Sequence, residues 1–437
     1  MSPSIHVIGG GLAGCEAAWQ LAGRGIPVTL FEMRPIQTTD AHQTDRFAEL
    51  VCSNSLKSDQ APSASWLLKE ELRRQNSLLM RAAEKSRVPG GQALTVDRVV
   101  FADEVSAAIE AHPGIAIVRA EVTELDPAQP TIVATGPLTS SRLAETLTRF
   151  TGSDRLFFYD SISPIVDAHT VNREIAFAAS RYDKSLDGTG DYLNCPFTKP
   201  EYERFVDELM AAQAVDSHIP DDVPYFEACL PIEEIARRGR DTLRFGPMKP
   251  MGLIDPRTGR RPYAAVQLRQ ENLRADSYNL VGFQNHLKFG EQKRILRMVP
   301  GLENAEFLRF GQIHRNTYIN APSLLTATLQ MRAHPNIFFA GQISGVEGYV
   351  ESIATGLAAG VFAAEHLRGG KPQAFPRESA IGALCHYIAN ADARRYQPAN
   401  IAFDLFPALP RTIRDRKDRQ TEICRVALAS YEGAAHV

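Results

Sequence analysis

The chain opens on a short apolar run, Ile5 to Ile8, interrupted only by His6, which predicts a short buried strand. Gly9-Gly10-Gly11-Leu12-Ala13-Gly14 follows and leads into a helical pattern that ends near Arg24 and Gly25, and Pro27 to Glu32 predicts a second strand. In such a unit Gly9 permits the tight turn and Gly11 lets the backbone approach a pyrophosphate. Gly14 allows close packing of helix on strand, so the amino end of the helix, with Leu12 and Ala13, faces the phosphates. Gly10 belongs to the same turn. Glu32 lies 21 positions beyond Gly11, close to the roughly 20 expected of a carboxylate that accepts from a ribose hydroxyl. Strand, turn, helix, strand and acid together predict a dinucleotide site.

Three later segments favour a bound flavin dinucleotide, FAD. Thr131 to Gly136, TIVATG, is an apolar strand ending in a small-residue turn where a large ring system passes close to backbone. Asn336 to Gln342, NIFFAGQ, is another such strand ending at Gly341 and Gln342, and a helical stretch rich in alanine and glycine runs from Tyr349 to Leu367. Ala116 to Leu125 resembles the strand whose backbone at Val122 holds adenine, and reads equally well as sheet core.

The pattern between these segments differs. Residues 1–190 and 316–437 form a discontinuous FAD-binding domain, and residues 191–315, rich in proline, glycine and arginine with short apolar runs, form an inserted mixed α/β domain. The predicted class is therefore α/β, a Rossmann-like FAD domain carrying an insert. Helix-compatible segments and a basic run at 411–419 close the chain.

Composition narrows the function. A chain of 437 residues that is 44% hydrophobic builds a large core, and 48 basic against 51 acidic residues exclude a surface that is polyanion-binding throughout. The charge is uneven: Pro231 to Arg315 holds 16 Lys or Arg and 9 Asp or Glu, a balance of +7. Arg237, Arg238, Arg240, Arg244 and Lys249 cluster there, interleaved with Phe245 and Tyr263, a composition suited to phosphates and unstacked bases. A solvated face paired with acids is the other reading. Met1 to Ser4 lack a signal peptide's basic region and no apolar run spans a bilayer, so a cytoplasmic protein without membrane contact is expected.

Six cysteines, at 15, 52, 195, 229, 385 and 424, show neither zinc-site spacing nor disulfide density, so no metal is expected. Cys52 precedes small polar residues and Lys57, surroundings that favour a thiolate; Cys229 has acidic neighbours, which oppose ionisation. Taken singly, each thiol is more often a small core residue than a nucleophile, and spacing does not separate the two.

GGGLAG at 9–14, DRFAELVCSNSLKSD at 45–59, DYLNCPFTKPEYERF at 191–205, YFEACLPIEEIARRG at 225–239, LRFGPMKPMGL at 243–253 and GQISGVEGYVESIATG at 341–356 closely resemble the folate- and FAD-dependent tRNA uracil-5-methyltransferases. The resemblance covers nearly the whole chain. It implies methylation of a T-loop uridine of tRNA, at its conventional position 54, with methylenetetrahydrofolate as carbon donor, FAD as reductant and relay, and NADH or NADPH reducing the flavin. It maps the family's two functional cysteines onto Cys229, the thiolate that adds at uracil C6, and Cys52, either the acid or base at C5 or a resting-disulfide partner of Cys229. Arg237, Arg238, Arg240, Arg244, Lys249, Arg414 and Lys417 would grip RNA phosphates, with no DNA partner expected. Two alternatives keep much of this picture: the same chemistry on a ribosomal uridine, and a non-catalytic flavin-bound RNA-binding factor with inert cysteines.

Overall fold

A computed structural model describes residues 4–39, 41–152, 156–183, 185, 190–215, 230–311 and 313–433. Ile5–Ile8 is the centre of a five-stranded, all-parallel sheet in the order Ile337–Phe339, Thr131–Val133, Ile5–Ile8, Val28–Glu32, Ile115–Arg119. Its strands are largely apolar, as a parallel sheet covered by helices requires; Ile5, Val7, Ile132, Val133, Phe338 and Phe339 are fully buried. The predicted strands at 131 and 337 thus pair with each other and flank the glycine turn.

Helix Leu12–Gly23 crosses helix Tyr349–Leu367, which carries the boundaries its pattern predicts. The two backbones meet through small residues: a Cβ on Gly356 would lie 2.3 Å from the Ala13 carbonyl oxygen, and one on Gly360 would lie 2.9 Å from that of Ala17. Backbone cannot yield as a flexible side chain does. Gly356→Val is therefore expected to destabilise the protein by about 1–3 kcal/mol through overpacking, read as a lowered denaturant midpoint.

A second unit has its own core, around Cys195, Phe197, Phe205, Ile232, Leu243, Val266, Leu268, Phe283 and Ile295. Its six-stranded antiparallel sheet runs in the order Phe177–Ala178, Tyr192–Phe197, Ala264–Gln270, Ser277–Leu280, Ile165–Asp167, Phe307–Arg309. The sheet thus takes in two strands that precede position 191, and the unit reaches back past residue 165. Strands of two and three residues leave no period to read, and only pairing places them. Two neighbouring antiparallel strands, Leu156–Ser161 and Ile313–Tyr318, carry the chain into and out of this unit. A small antiparallel sheet, Ser55–Ser58, Ala93–Val96 and Arg87–Val88, sits on the first unit. Among the described residues no helix is long and apolar enough to cross a membrane.

Candidate active site

The glycine turn is built by steric necessity. Gly9 has φ +106°, a conformation that L side chains rarely adopt, and a Cβ there would lie 2.5 Å from the Ala134 carbonyl oxygen. A Cβ on Gly14 would fall 1.8 Å from the carbonyl oxygen of Gly9, so Gly14 fastens helix to turn. Gly11 differs: its φ is −79°, and a Cβ there would meet no protein atom within 4 Å. The space beside it is open although the turn around it is tight. Gly11 also caps the helix without a side-chain acceptor, which leaves helix N–H groups and the positive end of the dipole for an anion.

Glu32 is 5% exposed. One carboxylate oxygen accepts the Gly10 N–H at 2.9 Å, and the other accepts the N–H and Nε–H of Arg34, both at 2.9 Å. Burial works against its charge, but Arg34 outweighs it and holds the carboxyl below its usual value. Arg34 Nη2–H adds a fourth bond at 3.2 Å, so the roughly four lone-pair sites of the carboxylate are occupied and a ribose hydroxyl would have to share or displace an Arg34 donor.

Gly9 to Ala13, Glu32, Val122, Gly341 and Gln342 line one cleft of about 980 Å³, its open mouth included, together with Thr135 to Ser140, Val51, Tyr349 and Ser352. Gly14 packs beneath it. Three helix N-termini converge on the cleft, those of Leu12–Gly23, Ser141–Thr151 and Tyr349–Leu367. An uncapped helix end beside an open glycine, an acid at the end of the second strand and a cleft of this size fit a dinucleotide such as FAD.

Beyond the cleft, Val51 leads directly to Cys52. The Tyr349 hydroxyl accepts the N–H groups of Cys52 (2.8 Å) and Ser53 (3.1 Å), while Arg98 donates to the carbonyl oxygens of Leu50 (2.7 Å) and Cys52 (3.0 Å). From the second unit, Arg269 donates to Ser53 Oγ at 2.8 Å, and Asn54 reaches the carbonyl oxygen of Gln270 at 2.8 Å. Glu271 pairs with Arg98 and accepts from Asn279. The Cys52 loop is thus held through its backbone at the junction of both units, and Cys52 itself is partly buried. Arg98, Arg269 and Arg309 all interact electrostatically with Cys52.

The other described thiols are buried. Burial raises Cys195 and Cys385 to about 12 and Cys424 to about 11, and Cys15, on the Gly10 carbonyl, is pushed up further. They are core residues. Cys229 lies outside the described residues, so its distance from Cys52 is not assigned.

The basic cluster is divided. Arg237 pairs with Glu234, Arg240 with Asp207 at 2.6 Å, and Arg244 with Asp241 at 3.3 Å. Arg244 also stacks over Tyr263, 3.9 Å from the ring centre. Arg238 and Lys249 are exposed. Arg414 and Lys417 are exposed on a separate element, at the start of helix Arg416–Gly433, which packs against helix Ala64–Arg74 of the first unit. Glu234 and Asp241 lie three positions from their arginines, within a local charge count, whereas Asp207, 33 positions before Arg240, becomes its partner only through the fold. Sequence reasoning missed Tyr349, Arg98 and Arg269 for the same reason: each reaches the Cys52 loop only through the fold.

The family model described as glucose inhibited division protein A matches residues 4–371. A curated relative from Solibacter usitatus, a methylenetetrahydrofolate--tRNA-(uracil-5-)-methyltransferase, is 67% identical over all of this chain and 99% of its own. One of the same description from Koribacter versatilis is 60% identical over 99% of this chain and 98% of its own. Among solved structures, GidA of Aquifex aeolicus (form I crystal) superposes with a TM-score of 0.71 at 18% identity, covering 98% of this chain and 75% of that one.

Proposed function

Since the chain belongs to the glucose inhibited division protein A family and, within it, to the methylenetetrahydrofolate-dependent tRNA (uracil-5-)-methyltransferases, we propose that it methylates a T-loop uridine through a cysteine adduct. Whole-length identity of 67% to such an enzyme carries the reading; the junction of nucleotide cleft and Cys52 loop supports it.

Uracil C5 is a weak nucleophile. Addition of the Cys229 thiolate at C6 makes it electron-rich enough to attack the methylene carbon of the folate. Cys52, steadied by Tyr349 and Arg98, then takes the C5 proton. The two electrons that turn the methylene into methyl are the chemistry contributed by bound FAD, itself reduced by NADH or NADPH. Gly9 to Ala13 hold its pyrophosphate, Glu32 its ribose, Val122 its adenine, and Gly341 and Gln342 the flavin end. Arg237, Arg238, Arg240, Arg244, Lys249, Arg414 and Lys417 contact RNA phosphates, with the acid-paired arginines exchanging their carboxylates for phosphate. The target base leaves its stack to reach the junction.

The test supplies purified, FAD-loaded protein with labelled methylenetetrahydrofolate, NADPH and a tRNA transcript. One labelled methyl group per tRNA is expected, abolished when the T-loop uridine is replaced by cytidine. Label entering ribosomal RNA but not tRNA would overturn the reading.

A further inference from the structure

Uracil activation creates a charge that none of the residues assigned so far neutralises. When sulfur bonds to C6, the C5=C6 electron pair shifts toward C4, and the C4 carbonyl oxygen becomes an enolate oxygen. Inside a closed site that oxygen needs a fixed donor.

One buried cation beside the Cys52 loop has a donor to spare. Arg269, near the end of strand Ala264–Gln270, is 9% exposed. Its Nη2 donates to Ser53 Oγ, but its Nε is buried with no hydrogen-bond partner, and among the described residues no carboxylate is in ion-pair contact with it. Burial accordingly lowers its pKa, whereas neighbouring Arg98 is committed to Glu271 and to the carbonyls of Leu50 and Cys52. A buried guanidinium with no carboxylate in contact is costly to keep; Glu271 acts on it only at longer range, and its acceptor Ser53 directly follows the thiol assigned to the C5 proton. Because C4 is bonded to C5, a group beside that thiol lies next to the C4 oxygen.

We propose that Arg269 donates hydrogen bonds to the C4 oxygen of the target uracil, stabilising the enolate and selecting uracil over cytosine, whose C4 amino group donates instead of accepting. The assignment rests on the C6-adduct reading above. In the step itself the S–C6 bond forms and the C5=C6 π bond breaks, with its electron pair moving onto C4–O4. C5 then bonds to the methylene carbon as one folate C–N bond to that carbon breaks; the C5 hydrogen leaves as a proton to Cys52 while the second C–N bond breaks, its pair staying on the folate nitrogen. A hydride equivalent from the reductant completes the methyl group, and C6–S cleavage restores the C5=C6 bond and returns the thiolate.

Single-turnover release of tritium from tRNA carrying 5-tritiated uridine follows this step. With FAD-loaded protein and methylenetetrahydrofolate, R269Q is expected to release tritium about 10²-fold more slowly, with the KM for tRNA and the FAD content unchanged. R269K, which keeps the charge without the planar fork, is expected to fall between. Wild-type rates in R269Q would overturn the assignment, as would loss of FAD and melting temperature in step with tritium release, which would make Arg269 a packing residue. Should R269Q fail to fold, R269K decides: FAD-loaded R269K at the wild-type rate overturns the proposal. A wild-type enzyme that methylates tRNA but forms no covalent complex with 5-fluorouridine RNA refutes the adduct and, with it, the enolate Arg269 is meant to hold.

Discussion

Cys229→Ser is expected to lower methyl transfer to tRNA by on the order of 10⁴-fold or more, because no other group supplies the attack at C6. A T-arm RNA containing 5-fluorouridine sharpens the test, since fluorine at C5 does not leave as a proton. Wild-type protein is expected to form a complex that survives denaturing electrophoresis, and Cys229→Ser none. Retention of the complex in that variant would refute the nucleophile assignment. Cys52→Ala separates the two roles open to Cys52. If it takes the C5 proton, the fluorinated complex still forms while turnover on ordinary tRNA falls. A resting disulfide would instead appear as one pair of thiols missing from a non-reducing titration of wild-type protein and restored by reductant.

The second large effect concerns two glycines three positions apart. Gly11→Ala adds a methyl group where no protein atom lies within 4 Å and where φ is −79°, so melting of the apoprotein is expected to match wild type. If the pyrophosphate lies in that space, FAD binding nevertheless weakens by about 10–10²-fold, the loss of one or two hydrogen bonds to a charged group. Gly14→Ala is expected to behave oppositely, since its Cβ would lie 1.8 Å from the Gly9 carbonyl oxygen and the damage falls on the fold first. Equilibrium FAD titration and thermal melting of both variants check this. Equal FAD affinity in Gly11→Ala and wild type would move the phosphates elsewhere.

This contrast shows what the sequence makes legible. Requirements met within a few positions leave a mark: the turn at Gly9, the helix seated by Gly14, Glu32 at the end of the next strand, and the long helix from Tyr349. Requirements met across the fold leave none. Arg98 and Arg269 become partners of the Cys52 loop only because the small sheet and the second unit's sheet bring them to it. The strands at 165–167 and 177–178 are too short to announce themselves. The basic cluster was legible as charge, and its local pairing with Glu234 and Asp241 as the alternative reading, but the Arg240–Asp207 pair was not, since Asp207 stands 33 positions before Arg240.

The parallel sheet also dictates an order of assembly. Thr131–Val133 awaits Ile337–Phe339 as its outer neighbour, roughly 200 residues later, which at ribosomal speeds of about 5–20 residues per second amounts to tens of seconds. During that delay all strands of the inserted sheet emerge, while the nascent nucleotide domain still shows an open apolar edge. The module that arrives second in the fold's logic is thus the first able to finish, and the cleft closes only when the carboxyl-terminal third docks.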